Sequence, residues 1–237
     1  FFYAEKGYEL SNKLSYDIGI AESSAALADF HVMEDNLDKA KTYYEMALGK
    51  FEASSEYFDH AQILMILGNI HLVQDDYIES LKLYQKSLAV AKEHDLQSLT
   101  PHLINNIGVL YLEIDDLKEA YPYFQKAYIA FNEIDDEFSA ARALSNKAEI
   151  MHQWGEYDKS ISGFLDAIKI YTKKESWVDI ATGYNNIALV YYSAGRHVKA
   201  REFNSLAMST LKNKLETFSG PSSLNVSKIY HTSAFLS

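Results

Sequence analysis

The sequence predicts an all-α fold, a solenoid of antiparallel helix pairs, on three observations. First, short segments recur at a spacing of 40: Leu67-Gly68-Asn69-Ile70-His71 aligns with Ile107-Gly108-Val109-Leu110-Tyr111. Second, extending that period finds a small residue every time. The first row is Ala28, Gly68, Gly108, Ala148 and Ala188; the second is Ala40, Ser80, Ala120, Ser160 and Ala200; the third is Ala47, Ser87, Ala127, Ala167 and Ala207. Third, only 3 Pro and 10 Gly in 237 residues leave few places to end a strand or turn a hairpin. Small side chains at fixed spacing let two helix axes approach closely, which is the signature of repeated helix packing.

Residues 1–13 fit the second helix of an earlier repeat, because Gly7 stands forty residues before Ala47. Five full repeats follow at 17–53, 57–93, 98–133, 136–172 and 177–214. Each reads as two amphipathic helices with apolar residues recurring at three and four. Within them the spacing predicts 17–33/37–53, 57–73/77–93, 98–113/117–133, 136–153/157–172 and 177–193/197–214. The turns between partners are short and polar, as in Gln74-Asp75-Asp76 and Ile114-Asp115-Asp116, with acids where the second helix needs an N-cap. Large residues keep register beside the small ones. Tyr44, Tyr84, Phe124 and Phe164 fill one site, where Asn204 is the exception; His31, His71, Tyr111, Met151 and Tyr191 fill another, expected to be buried. Residues 221–236 fit the first helix of a sixth repeat, since Pro221 repeats the position of Pro101 and Pro suits a first helical turn.

Composition removes whole classes of function. Acidic residues number 33 against 22 basic ones, a formal charge of −11, which argues against a nucleic-acid binder and against an electrostatic grip on anionic membranes. No apolar run approaches the roughly 20 residues of a membrane span. The absence of Cys excludes disulfides, thiolate metal sites and a cysteine nucleophile. No cofactor loop, metal motif or catalytic motif is present, so neither a cofactor, nor a metal, nor an enzymatic activity is expected. The chain starts at Phe1 and reads as part of a larger parent, with a cytoplasmic setting as the expectation.

The order of a large residue, Leu-Gly, Tyr, then Ala, Phe and Ala resembles the tetratricopeptide repeat. It stands here as Ile104, Ile107-Gly108, Tyr111, Ala120, Phe124 and Ala127. The 40-residue length is similar to that of the repeats in kinesin light chains, Pins-type scaffolds and bacterial regulators of the Rap type. Pro122, inside a predicted helix, has the context Glu119-Ala120-Tyr121-Pro122, similar to one common in kinesin-light-chain-type repeats, so the helix is kept. The resemblance implies a right-handed superhelix whose first helices line a concave face.

On that face, positions i, i+3, i+4 and i+7 read Gln62, Met65, Ile66, Asn69, then His102, Asn105, Asn106, Val109. The next two repeats give Arg142, Ser145, Asn146, Glu149 and Thr182, Asn185, Asn186, Leu189, whereas repeat one is bland and acidic (Glu22, Ala25, Ala26, Asp29). The candidate groove set is therefore Asn69, His102, Asn105, Asn106, Arg142, Asn146, Glu149, Asn185 and Asn186. An Asn amide offers a donor and an acceptor together, matching the C=O and N–H of an extended peptide. The competing reading is that these amides bond one another. A chaperone-type carboxylate clamp is a poor match: Asn69 and Asn106 fit its pattern and Arg142 replaces one basic residue, but Met65 and Asn146 stand where its other two cations belong.

Lys147 replaces an apolar residue at a packing position; it either lies along the groove wall or pairs with Glu149 or another acid. The Asp pairs read as caps or turns rather than a calcium loop, and the scattered His as core residues rather than ligands. The expected function is a peptide- or protein-binding module, the sensory or scaffolding part of a signalling protein. The alternatives are a Rap-like sensor controlling an attached phosphatase or DNA-binding module, or self-assembly with another copy.

Overall fold

The computed structural model describes residues 1–215 together with Ile229 and Thr232. Among them eleven helices and no strand are found: α1 Phe2–Leu14, α2 Asp17–Met33, α3 Leu37–Ser54, α4 Tyr57–Val73, α5 Tyr77–Glu93, α6 Thr100–Glu113, α7 Leu117–Glu133, α8 Glu137–Gln153, α9 Tyr157–Lys173, α10 Trp177–Ser193 and α11 His197–Leu215. They fall into two compact units, Phe1–Asp116 and Leu117–Ser237. In the first, each helix from α1 to α6 packs on the next; in the second, the same holds from α7 to α11.

The small residues decide how close those helices come. Ala28, Ala40, Ala47, Ser80, Ser87, Ala120, Ala127, Ser160, Ala188, Ala200 and Ala207 are all fully buried. At Gly68 a Cβ would lie 2.6 Å from the Tyr84 ring, so only glycine lets α4 and α5 meet there. Two of the row's serines donate to the facing backbone: Ser87 Oγ to the Ala61 carbonyl at 2.6 Å and Ser160 Oγ to the Ala148 carbonyl at 2.7 Å. Between the small positions sit Tyr44, Tyr84, Phe124 and Phe164, each at most 2% exposed. Asn204 occupies the fifth such site, and its buried Nδ2 has no partner among the described residues.

The helix junctions keep a beat of their own. Positive φ recurs every twenty residues, at Ser15, Asp35, Ser55, Asp75, Asp95, Asp115, Asp135, Gly155, Glu175 and Gly195. At Asp75, φ is 59°, and the Asp75 and Asp76 amides donate to the carbonyls of Leu72 and His71 at 3.1 and 2.9 Å. This is the double hydrogen bond of a Schellman ending. In the Asp75-Asp76 and Asp135-Asp136 turns the two acids therefore differ in role. The first adopts the left-handed conformation; the second caps the next helix, as Asp76 does for Glu79 N at 3.3 Å and Asp136 for Ser139 N at 3.0 Å.

Three local departures have physical causes. Helix α6 starts at Thr100 rather than 98, because Pro101 has no N–H for the carbonyl of Gln97 and residues 97–99 form turns instead. Pro122 stays inside α7, close to its start, where one missing donor is tolerated. His31 and His71 are half-buried rather than core residues. His31 stacks on Tyr43 with ring centroids 5.5 Å apart, and His71 Nδ1 lies 3.1 Å from the capping Asp76. Of the predicted helix 221–236 only Ile229 and Thr232 are described. Both are helical, and Ile229 packs with Ala181, Ala207 and Leu211. Pro221 lies outside the described residues.

Candidate functional site

The first helix of each repeat presents its polar face beside the large residue of the second. Where that residue is Tyr, its hydroxyl reaches back fifteen positions: Tyr44 donates to Asp29, and Tyr84 donates to Asn69 Oδ1 at 2.7 Å. Burial pushes the Tyr84 phenol up to about 12. Where the residue is Phe, at 124 and 164, the equivalent groove positions are Val109 and Glu149.

Within the first unit two of the candidate amides are bonded to each other. Asn69 Oδ1 accepts a second hydrogen bond from Asn106 Nδ2 at 3.0 Å, joining α4 to α6. His102 is half-buried on α6. Asn105 is also half-buried, and its Oδ1 is enclosed without a partner among the described residues, so this side chain is turned towards the packing rather than outward. Asn185 is turned further still, at 4% exposure with an unpartnered Oδ1. Both stand at the i+3 position, which on these helices lies nearer the neighbouring helix than the i+4 position does.

In the second unit the remaining candidates converge. Arg142, Asn146 and Glu149 of α8 and Asn186 of α10 line one cleft of about 200 Å³, with Ser145, Tyr171, Asp179, Thr182 and Gly183. Residues 142, 146 and 149 share a helix face, as their spacing demands. Asn146 and Asn186 make no hydrogen bond to any described side chain or turn, in contrast to Asn69 and Asn106. Arg142 is exposed and has no ion pair among the described residues. Asp179 is held at the start of α10, where it accepts from Ser176 Oγ. Glu149 lies 3.6 Å from His152 Nδ1, and His152 Nε2 lies 2.9 Å from Ser193 Oγ.

Tyr171, Asp179 and Gly183 were not among the sequence candidates. Tyr171 belongs to the second helix of its repeat, yet its hydroxyl stands 3.3 Å from Ser145 Oγ at the cleft floor. Burial raises that phenol to about 12. Gly183 permits the approach of α10 to α9, since a Cβ would meet Ile168 at 2.6 Å; an isolated glycine in a helical run was the available signal. Lys147 makes no ion pair with Glu149 or any other acid among the described residues. Its Nζ donates to Gln125 Oε1 at 2.5 Å and lies 5.4 Å from the Tyr121 ring centroid. Among the described residues no group of three or more acidic, His or Cys side chains could hold a metal, and no helix is long and apolar enough to cross a membrane.

The architecture has solved counterparts. BtubC (BKLC) from P. vanneervenii is similar with a TM-score of 0.78 at 19% identity, over 92% of each chain. Aspartyl phosphate phosphatase F from Bacillus subtilis is similar with a TM-score of 0.82 at 15% identity, over 96% of this chain and 59% of that one. A signal transduction ATPase with a tetratricopeptide repeat sensor, from Pyrococcus horikoshii, matches with a TM-score of 0.75 at 15% identity, over 98% of this chain and 39% of that one. These likenesses concern the fold. No curated protein matches the sequence significantly. The family model for the tetratricopeptide repeat matches residues 59–133, 97–173 and 139–213, together well over half of the chain. With its small-residue rows buried between successive helices, this chain belongs to the tetratricopeptide repeat family.

Proposed function

We propose that the chain works as one tetratricopeptide array, residues 1–237, and binds an extended peptide or protein segment in the cleft between α8 and α10. Tetratricopeptide arrays are protein-interaction modules. The observation that supports this site is the contrast between two pairs of amides. Asn69 and Asn106 are joined by a hydrogen bond, whereas Asn146 and Asn186 have no hydrogen-bond partner, and the arginine beside them no ion pair, among the described residues. Amides held on rigid helices and left without partners suit a peptide backbone, which needs a donor and an acceptor per residue.

The neighbouring folds suggest the setting. One belongs to an aspartyl phosphate phosphatase and another to a sensor-bearing ATPase, which supports a signalling role as sensor or scaffold. The chain itself is proposed to be non-enzymatic and to act in the cytoplasm.

The test is selection of a displayed peptide library on the whole chain, followed by affinity measurement on Asn146→Ala and Asn106→Ala. Binding at this cleft predicts at least a tenfold loss for Asn146→Ala and little change for Asn106→Ala. Unchanged affinity in a folded Asn146→Ala variant would overturn the assignment.

A further inference from the structure

The charges in the cleft are ordered along its length. Arg142 and Glu149 occupy the ends of the i, i+4, i+7 stripe on α8, with Asn146 between them and Asn186 opposite. At about 1.5 Å of rise per residue, the seven-residue step separates the two charges by roughly 10 Å along the axis. An extended or polyproline-like chain covers that distance in about three residues, at roughly 3.1–3.5 Å each.

Each end is available to a ligand in its own way. Arg142 is exposed and unpaired among the described residues. Glu149 is half-buried, and among the described residues the one basic group within ion-pair distance is the imidazole of His152, at 3.6 Å. The third charge in the cleft, Asp179, is turned to the Ser176 hydroxyl that donates to it. A segment bearing two acids would meet Glu149 with like charge, and one bearing two bases would meet Arg142 so. Such mismatches at close range are how interfaces reject wrong partners.

We infer that the cleft selects a bipolar segment, with an acidic side chain for Arg142 and a basic side chain three residues away for Glu149. Asn146 and Asn186 hold the backbone between them. The inference rests on the peptide-binding reading above and adds a charge pattern to it.

The experiment is a displayed library in which two positions three residues apart are restricted to Glu, Lys or Gln, all others being random. It is selected on the whole chain, and each selected peptide is measured again on Asn146→Ala and on Arg142→Gln. The expected result is enrichment of mixed Glu and Lys pairs over pairs of like charge. Matched peptides should bind Arg142→Gln about tenfold more weakly, the loss of one charge-assisted contact. Their counterparts with Gln in place of Glu should not distinguish that variant from the parent. Peptides that depend on Asn146 but show no preference at the paired positions would overturn the charge pattern while leaving the peptide-binding reading intact. The absence of any peptide sensitive to Asn146→Ala would overturn both.

Discussion

The Tyr84 hydroxyl donates to Asn69 Oδ1 at 2.7 Å, so a side chain from the core of one helix pair anchors a polar residue on its outer face. Tyr44 and Asp29 repeat this relationship forty residues earlier. Both phenols are pushed up chiefly by burial, Tyr84 to about 12. Tyr171 is raised to about 12 for the same reason. A phenol near 10 in the unfolded chain and higher in the folded one favours folding fully below pH 10. That contribution is lost as the pH climbs through the folded value. Stability should therefore fall between about pH 10 and 12, measured as the chemical denaturation midpoint. The Tyr84→Phe, Tyr171→Phe double variant should show a shallower fall, with a baseline lower by about 1 kcal/mol per lost hydrogen bond.

A paired glycine substitution separates packing from helix propensity. Gly68→Ala places a Cβ 2.6 Å from the Tyr84 ring and should cost about 1–3 kcal/mol. Gly49→Ala, on an exposed turn of α3 with nothing within 4 Å, should gain about 0.5–1 kcal/mol. Thermal melts of the two variants should move in opposite directions.

The junction residues offer a third test. Glu175 has φ 55° with a full side chain, a conformation that costs roughly 1 kcal/mol or more outside glycine. Glu175→Gly should raise the unfolding midpoint by the equivalent of about 0.5–1 kcal/mol, after the added freedom of the unfolded chain is subtracted. Gly195→Ala, at φ 72°, should lower it by about 1 kcal/mol.

How much of this was open to sequence reasoning differs between residues. The rows at 28, 40 and 47 plus multiples of forty were legible because a close approach of helices tolerates nothing larger, and no other constraint keeps that spacing. The two Asp of the turns at 75–76, 115–116 and 135–136 were not separable, since Asp suits both a left-handed position and an N-cap. Asn105 and Asn185 turn their Oδ1 atoms towards the packing because an i, i+3, i+4, i+7 stripe spans a wide arc whose i+3 edge on α6 and α10 is enclosed, whereas Ser145 at the same position of α8 lines the cleft. The bond between Asn69 and Asn106 joins residues 37 apart, and only helix placement decides whether two such amides meet or stay apart.

Lys147 stands where the other repeats place Leu27, Leu67, Ile107 and Ile187, each at most 3% exposed. Its hydrogen bond to Gln125 and its position over Tyr121 compensate only in part for a lost apolar contact. Lys147→Leu should stabilise the fold by about 1 kcal/mol, read as a higher denaturant midpoint with an unchanged slope. A lower midpoint would show that the lysine contributes more than its contacts indicate.

The left-handed residues recur at every helix junction, twenty residues apart, while the side-chain pattern recurs only at forty. Backbone geometry thus cannot tell a first helix from a second; only the side chains can. Loss or gain of a single helix would leave every junction able to close, yet it would press two faces of the same kind together. Parity, rather than length, is what keeps unlike faces together, and adding or removing helices in whole pairs is the change that preserves it.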